Sequence, residues 1–106
     1  MAGPLFFANT SDFQELAKQV PYTATHLIIR MERVPYIDQS GLYAMEDLVL
    51  RLKQADVKVL LVNLPQQPRM MMENIDIIPD LISDLEIFKD FKEAMVYIQA
   101  NKNSPM

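Results

Sequence analysis

Apolar positions along the chain change period several times, and each change marks an element. Leu5-Phe6-Phe7-Ala8 is a short apolar run that stops at Asn9-Thr10-Ser11, residues whose side-chain oxygens cap helix ends. It predicts a strand leading into a helix. Phe13, Leu16, Ala17 and Val20 then fall at i, i+3, i+4 and i+7, one face of an amphipathic helix. Ser11 and Gln14 stand at capping-box spacing, and Pro21 ends the helix. From His26 to Met31 the chain is almost continuously apolar, which predicts a strand buried on both faces.

Residues Val34 to Gly41 form a connection that opens the longest helix. There Leu42, Met45, Val49 and Leu52 make the packed face, while Glu46, Asp47, Arg51 and Lys53 make the wet one. Asp56 is a turn residue, and Val57 to Val62 predicts a second buried strand, closed by Asn63-Leu64-Pro65. Strand, helix and strand in that order imply a right-handed parallel crossover. Pro68 suits the first turn of a short helix reaching about Asn74, and Ile75 to Leu85, with Pro79 and several Asp and Ser residues, predicts turns or a brief helix. Ile87-Phe88 predicts a short last strand. Asp90 and Glu93 then form a capping box before a helix whose apolar face is Phe91, Ala94, Met95 and Ile98. The tail, Asn101 to Met106, is expected to fray. With no internal repeat, residues 1–106 read as one α/β domain with a mostly parallel sheet and packed helices.

Composition narrows the classes. Half of the 106 residues are hydrophobic and 23% are charged with both signs interspersed, enough to build a core and too little bias for a disordered chain. Lys and Arg number 10 against 14 Asp and Glu, a balance that argues against nucleic acid as a partner. With no cysteine there is no disulfide framework, thiol catalysis or cysteine-ligated metal. The apolar runs Leu27 to Ile29 and Val59 to Val62 fall far short of the roughly 20 residues that span a bilayer. The N-terminus has neither the basic nor the long apolar region of a secretory signal, so a cytosolic setting is expected.

Chemistry-bearing patterns are sparse. His26 is the single histidine, with no second metal ligand at a useful spacing, and reads as a strand-edge residue. Asp38 and Ser40 have no histidine or lysine near them in sequence, and no Gly-x-Ser-x-Gly elbow occurs. Glycine-rich phosphate cradles are absent too, in a chain with only two glycines. Neither an enzyme, a cofactor nor a metal site is expected. Asp38-Gln39-Ser40-Gly41 does stand out, at the start of the long helix. Either Asp38 or Ser40 caps it while Gly41 permits a tight turn, or its amides hold a ligand. Met70-Met71-Met72 cannot all face one core, so at least one is directed outward or to a partner.

Two stretches resemble the STAS domain, the fold shared by bacterial anti-sigma factor antagonists and the C-terminal part of SulP-type sulfate and anion transporters. Gly3-Pro4-Leu5-Phe6-Phe7-Ala8-Asn9 is similar to the Gly-Pro-Leu-Phe-Phe segment of the transporter branch. Leu27 to Leu42, with Val34-Pro35 and Asp38-Gln39-Ser40-Gly41-Leu42, is similar to that branch's strand, Val-Pro and Asp-x-Ser/Thr-Gly-Leu run. The resemblance implies a non-catalytic regulatory and protein-interaction module on the cytoplasmic side of the inner (plasma) membrane, transport itself belonging to a membrane domain. Its implied partners are the transmembrane domain of the same transporter chain and a cytosolic protein. The implied contact surface is the Asp38 to Gly41 loop with Tyr43, Glu46, Asp47 and Met71.

Two departures qualify the resemblance. Gln39 stands where the antagonist branch has the serine that a kinase phosphorylates, so Ser40 is expected to shape the loop rather than accept phosphate. Only Met1-Ala2 precedes the Gly3-Pro4 segment, where relatives have a further strand, so the chain reads as a fragment cut from a longer transporter. Its Leu5 to Ala8 edge is then open to self-association. The alternatives are a free-standing antagonist of an anti-sigma factor and a weak nucleotide-binding module.

Overall fold

The computed structural model describes residues 5–21 and 23–102; Gly3 and Pro4 of the first motif lie outside them, as does the tail from 103 on. The elements are β1 (Leu5–Ala8), α1 (Phe13–Gln19), β2 (His26–Arg30), α2 (Gln39–Gln54), β3 (Lys58–Val62), α3 (Gln66–Asn74), β4 (Ile87–Phe88) and α4 (Phe91–Lys102). The strands form one sheet in the order β1-β2-β3-β4, and every neighbouring pair is parallel. Among the described residues four α-helices cover its two faces, as expected of an α/β chain with a largely parallel sheet.

Both faces of the central strands are closed. Leu27, Ile28 and Ile29 of β2 and Leu60, Leu61 and Val62 of β3 are all 0% exposed. Leu27, Ile29, Val59 and Leu61 point to one side, where Phe13 and Leu16 of α1, five apolar residues of α2 and Met72 of α3 meet them. Ile28, Leu60 and Val62 point to the other side, where Ala94 and Ile98 of α4 cover them. The helices are therefore split three to one across the sheet.

Local details depart from the expected pattern in a few places. The cap of α1 is Asp12, whose side chain accepts from the Glu15 N–H at 3.0 Å, rather than Ser11. Asp90 caps α4 through the Glu93 N–H at 2.9 Å, but the Glu93 carboxylate accepts from Lys89 N–H at 3.4 Å, so the box is not reciprocal. A reciprocal box does form at Ser83 and Glu86, around a single 3₁₀ turn at Asp84–Glu86. Before it, Ile77–Leu81 is an irregular turn with an extended Ile78. Helix α4 continues through Lys102, so the first part of the expected fraying tail is helical.

The scarcity of glycine has a structural answer. Among the described residues, three left-handed positions, Asp56 (φ 61°), Asn63 (φ 57°) and Asp76 (φ 63°), are taken by short polar residues that tolerate that region. Gly41 does not have a positive φ and lies inside the first turn of α2. A Cβ there would meet Ile37 Cγ1 at 3.1 Å and Asp38 Oδ1 at 3.3 Å. Close approach, not turn geometry, keeps this residue small. Gly41→Ala should therefore lower the urea midpoint, although the same change in an open helix interior stabilises by about 0.5–1 kcal/mol. An unchanged or raised midpoint would show that the buried Ile37 side chain gives way.

Candidate functional site

The Asp38 loop is built from both ends. Past β2 the backbone stays against β3, with the Met31 N–H donating to Val62 O at 2.8 Å, and Val34 N–H closes a turn onto Met31 O at 2.9 Å. Met31, Val34 and Ile37 are buried anchors, while Pro35 and Tyr36 between them are exposed. Gln67 of α3 holds the far side. Its side-chain oxygen accepts from the Ile37 N–H at 2.8 Å, and its nitrogen donates to the Ile37 carbonyl at 3.1 Å. One amide thus satisfies both backbone groups of Ile37, as a neighbouring strand would.

Asp38 follows in extended conformation and caps α2, accepting from Gly41 N–H at 2.7 Å. That resolves the two candidate caps in favour of Asp38. Ser40 is exposed beside it, and exposed Gln39 donates to the Tyr43 hydroxyl at 3.2 Å. Tyr43, 51% exposed, and Asp47 lie on the open side of α2, and Glu46 is half-buried. Asp47 pairs with Arg51 at 3.1 Å, a solvent-exposed i,i+4 bridge that contributes little to stability.

Met71 differs from its expected placement. It is half-buried and packs against the main core, Met72 is fully buried, and Met70 is the methionine that faces out, at 52% exposure. The helical step of about 100° per residue decides this, because once Met72 points into the core its two predecessors rotate progressively away.

The N-terminal ends of α1 and α2 meet over a shallow cavity of about 330 Å³ lined by Ser11, Asp12, Phe13, Gln14, Ser40, Gly41 and Ala44. Asp12 and Asp38 already occupy amides of these two helix ends with carboxylates. A further anion would meet like charge there, so the cavity suits a neutral or cationic contact better than a phosphate.

His26 stands apart from this loop, at the opposite end of β2, with about 13 Å of strand between them. It is half-buried, its Nδ1 lies 3.0 Å from Thr25 Oγ1, and it sits in register with Lys58. The two chemistry-bearing features of the sequence are thus kept apart by the sheet. No group of three metal-ligating side chains occurs among the described residues. A second cleft, around Arg30 and Phe91, had no signal in the sequence pattern, because its residues come from β1, β2 and the start of α4.

The STAS domain family pattern matches residues 1–94. A sulfate transporter family protein from Wolinella succinogenes has a similar structure at TM-score 0.81 and 17% identity, over 94% of this chain and 88% of that one. The SulP transporter STAS domain from Vibrio cholerae aligns at TM-score 0.79 and 16% identity, over 95% and 85%. The murine Solute Carrier 26 family member A9 anion transporter, in its inward-facing state, aligns at TM-score 0.73 and 19% identity, over 95% of this chain but 18% of that one. No curated protein matches the sequence.

Burial, with the Lys58 charge adding to it, holds the His26 imidazole below its usual 6.5. The unfolded chain therefore takes up this proton at a higher pH than the folded one. His26 costs no stability above its unfolded value, and stability falls as pH drops below it, until the folded imidazole protonates as well. Urea midpoints measured from about pH 7.5 to about pH 6 should decline for the native chain and stay flatter for His26→Gln. Parallel curves for the two would remove His26 as the cause.

Proposed function

The chain belongs to the STAS domain family, and from that premise we propose that it is the regulatory and docking domain of a SulP-type anion transporter, with no catalysis of its own. In this reading residues 1–106 form one domain of a longer membrane protein and lie on the cytoplasmic side of its membrane. The likeness to transporter STAS domains supports it, as does the murine transporter, in which the matching part is under a fifth of the chain. No helix among the described residues is long and apolar enough to cross a membrane, so transport would belong to another part of the protein.

The observation that carries the proposal is the pinned but exposed loop. Ile37 is clamped by Gln67 and Asp38 is tied to α2, yet Tyr36, Asp38, Gln39, Ser40 and Tyr43 all face outward. A surface held in one conformation loses little entropy when a partner binds. It transmits a signal if the partner prefers one state of the transporter. The transmembrane domain of the same chain is the first partner, and a cytosolic protein the second.

Two measurements test this. The reading frame upstream of Met1 should encode several apolar stretches of roughly 20 residues; a stop codon directly upstream would overturn the transporter reading. In the intact transporter, Tyr43→Ala with Asp47→Lys should change the transport rate about fivefold or more at unaltered folding stability. Unchanged transport would reduce this face to a solvated helix surface.

Self-association is a further part of the proposal. Strand β1 pairs only with β2 among the described residues, which leaves the outer backbone of Leu5–Ala8 open to a second copy. Sedimentation should show a concentration-dependent dimer, and a monomer at every concentration would sink the idea.

A further inference from the structure

Helix α4 covers only part of its side of the sheet. Its buried contacts are to Ile28 of β2 and to Leu60 and Val62 of β3, and the same side of β1 is left half open. Phe7 on β1 is 48% exposed as a result. Arg30 ends β2 on the side that Ile28 faces, since residues two apart share a face. Its guanidinium carbon lies 4.3 Å from the centre of the Phe91 ring, and the Phe7 and Phe91 ring centres are 5.6 Å apart at a tilt of 48°. With Ala8 and the exposed Asn9, these residues line a cavity of about 230 Å³.

The cation in this cleft has no anionic partner among the described residues. Arg51 pairs with Asp47, and Arg69 with Glu73 and Asp84. Arg30, although half-buried, has no acceptor for its guanidinium N–H groups among the described residues, and its contact there is the Phe91 ring. The neighbouring acids are engaged elsewhere: Asp90 caps Glu93 N–H at 2.9 Å, and Glu32 accepts from Asn63 Nδ2 at 2.7 Å. A fork of donors left open beside two rings lacks a planar acceptor joined to a hydrocarbon group.

We propose that the cleft formed by Phe7, Asn9, Arg30 and Phe91 binds a small carboxylate that carries one aromatic ring or a short aliphatic chain. The carboxylate takes the Arg30 fork in two parallel hydrogen bonds, a geometry that a planar guanidinium offers and an ammonium does not. The hydrocarbon part lies against Phe7 and Phe91. The volume, below the roughly 300 Å³ at which pockets for drug-sized ligands begin, limits the guest to one ring or a short chain. The cleft lies at the carboxyl ends of β1 and β2, on the side of the sheet that α4 leaves partly open.

The test is an amide and Arg side-chain NMR titration of the chain with benzoate, benzamide and inorganic phosphate. Benzoate should shift the Arg30 Nε–H and the amides of Phe7, Asn9 and Phe91 saturably. Benzamide has the ring without the charge, and phosphate the charge without the ring; each should bind about tenfold or more weakly. Arg30→Gln should weaken benzoate about tenfold, Arg30→Lys should recover part of the loss, and Phe7→Ala should weaken benzoate more than phosphate. Equal binding of benzoate and benzamide, equal binding of benzoate and phosphate, or full benzoate affinity in folded Arg30→Gln would each overturn the proposal.

Discussion

Parallel pairing of β2 with β3, with apolar side chains on both faces of both strands, is the constraint from which the rest follows. Parallel strands cannot be joined by a hairpin, so each is followed by a helix or an equivalent crossover before the next. A strand pair apolar on both faces needs cover on both sides. The helices α1, α2 and α3 supply one layer, and α4 alone supplies the other. Because every strand runs the same way, the connections that follow them gather at one end of the sheet. The Asp38 loop and the Arg30 cleft both lie at that end, on opposite faces, and His26 lies at the other.

The uneven split of helices decides what is left open. One helix of 12 residues cannot cover four strands, so the α4 side leaves β1 exposed at Phe7, and Arg30 beside it stacks on a ring instead of an acid. On the three-helix side the core is continuous, and what is exposed is a loop beside the shallow cavity between the ends of α1 and α2. Its polar groups are mostly satisfied internally by Gln67, Asp38 and Gly41, which leaves side chains to face a partner. A surface with its backbone already bonded recognises by shape and side chain, which agrees with a docking role better than with anion capture.

Much of the candidate loop is legible in the sequence. The run from Val34 to Gly41 between a buried strand and a long amphipathic helix places it, and Asp38 is a strong cap residue at the required spacing. Two roles were not legible. Gly41 reads as a turn glycine, yet it is kept small by the Ile37 side chain of its own approach segment. Gln67 reads as an ordinary first-turn residue of α3, yet it closes the loop 30 positions away. Three adjacent methionines cannot rank themselves by sequence; packing of Met72 ranks them, with Met71 half-buried and Met70 outward. The Ser83 box carries its Ser-x-x-Glu spacing openly, within a segment whose single proline and acids point to turns or a brief helix.

The sequence by itself determined the order and kind of the elements, the parallel sheet and the residues of its core, because burial and backbone period are local properties written every two or every three to four positions. Its two motifs likewise sufficed for the family. Tertiary structure alone decided which side of the sheet each helix covers, which methionine faces out, and which polar groups find partners. Those depend on contacts between residues tens of positions apart, and no local period encodes them. The cleft around Arg30 is the clearest case: a strand residue, an edge phenylalanine and the first residue of the last helix share no pattern, and they form a site only where α4 stops short of β1.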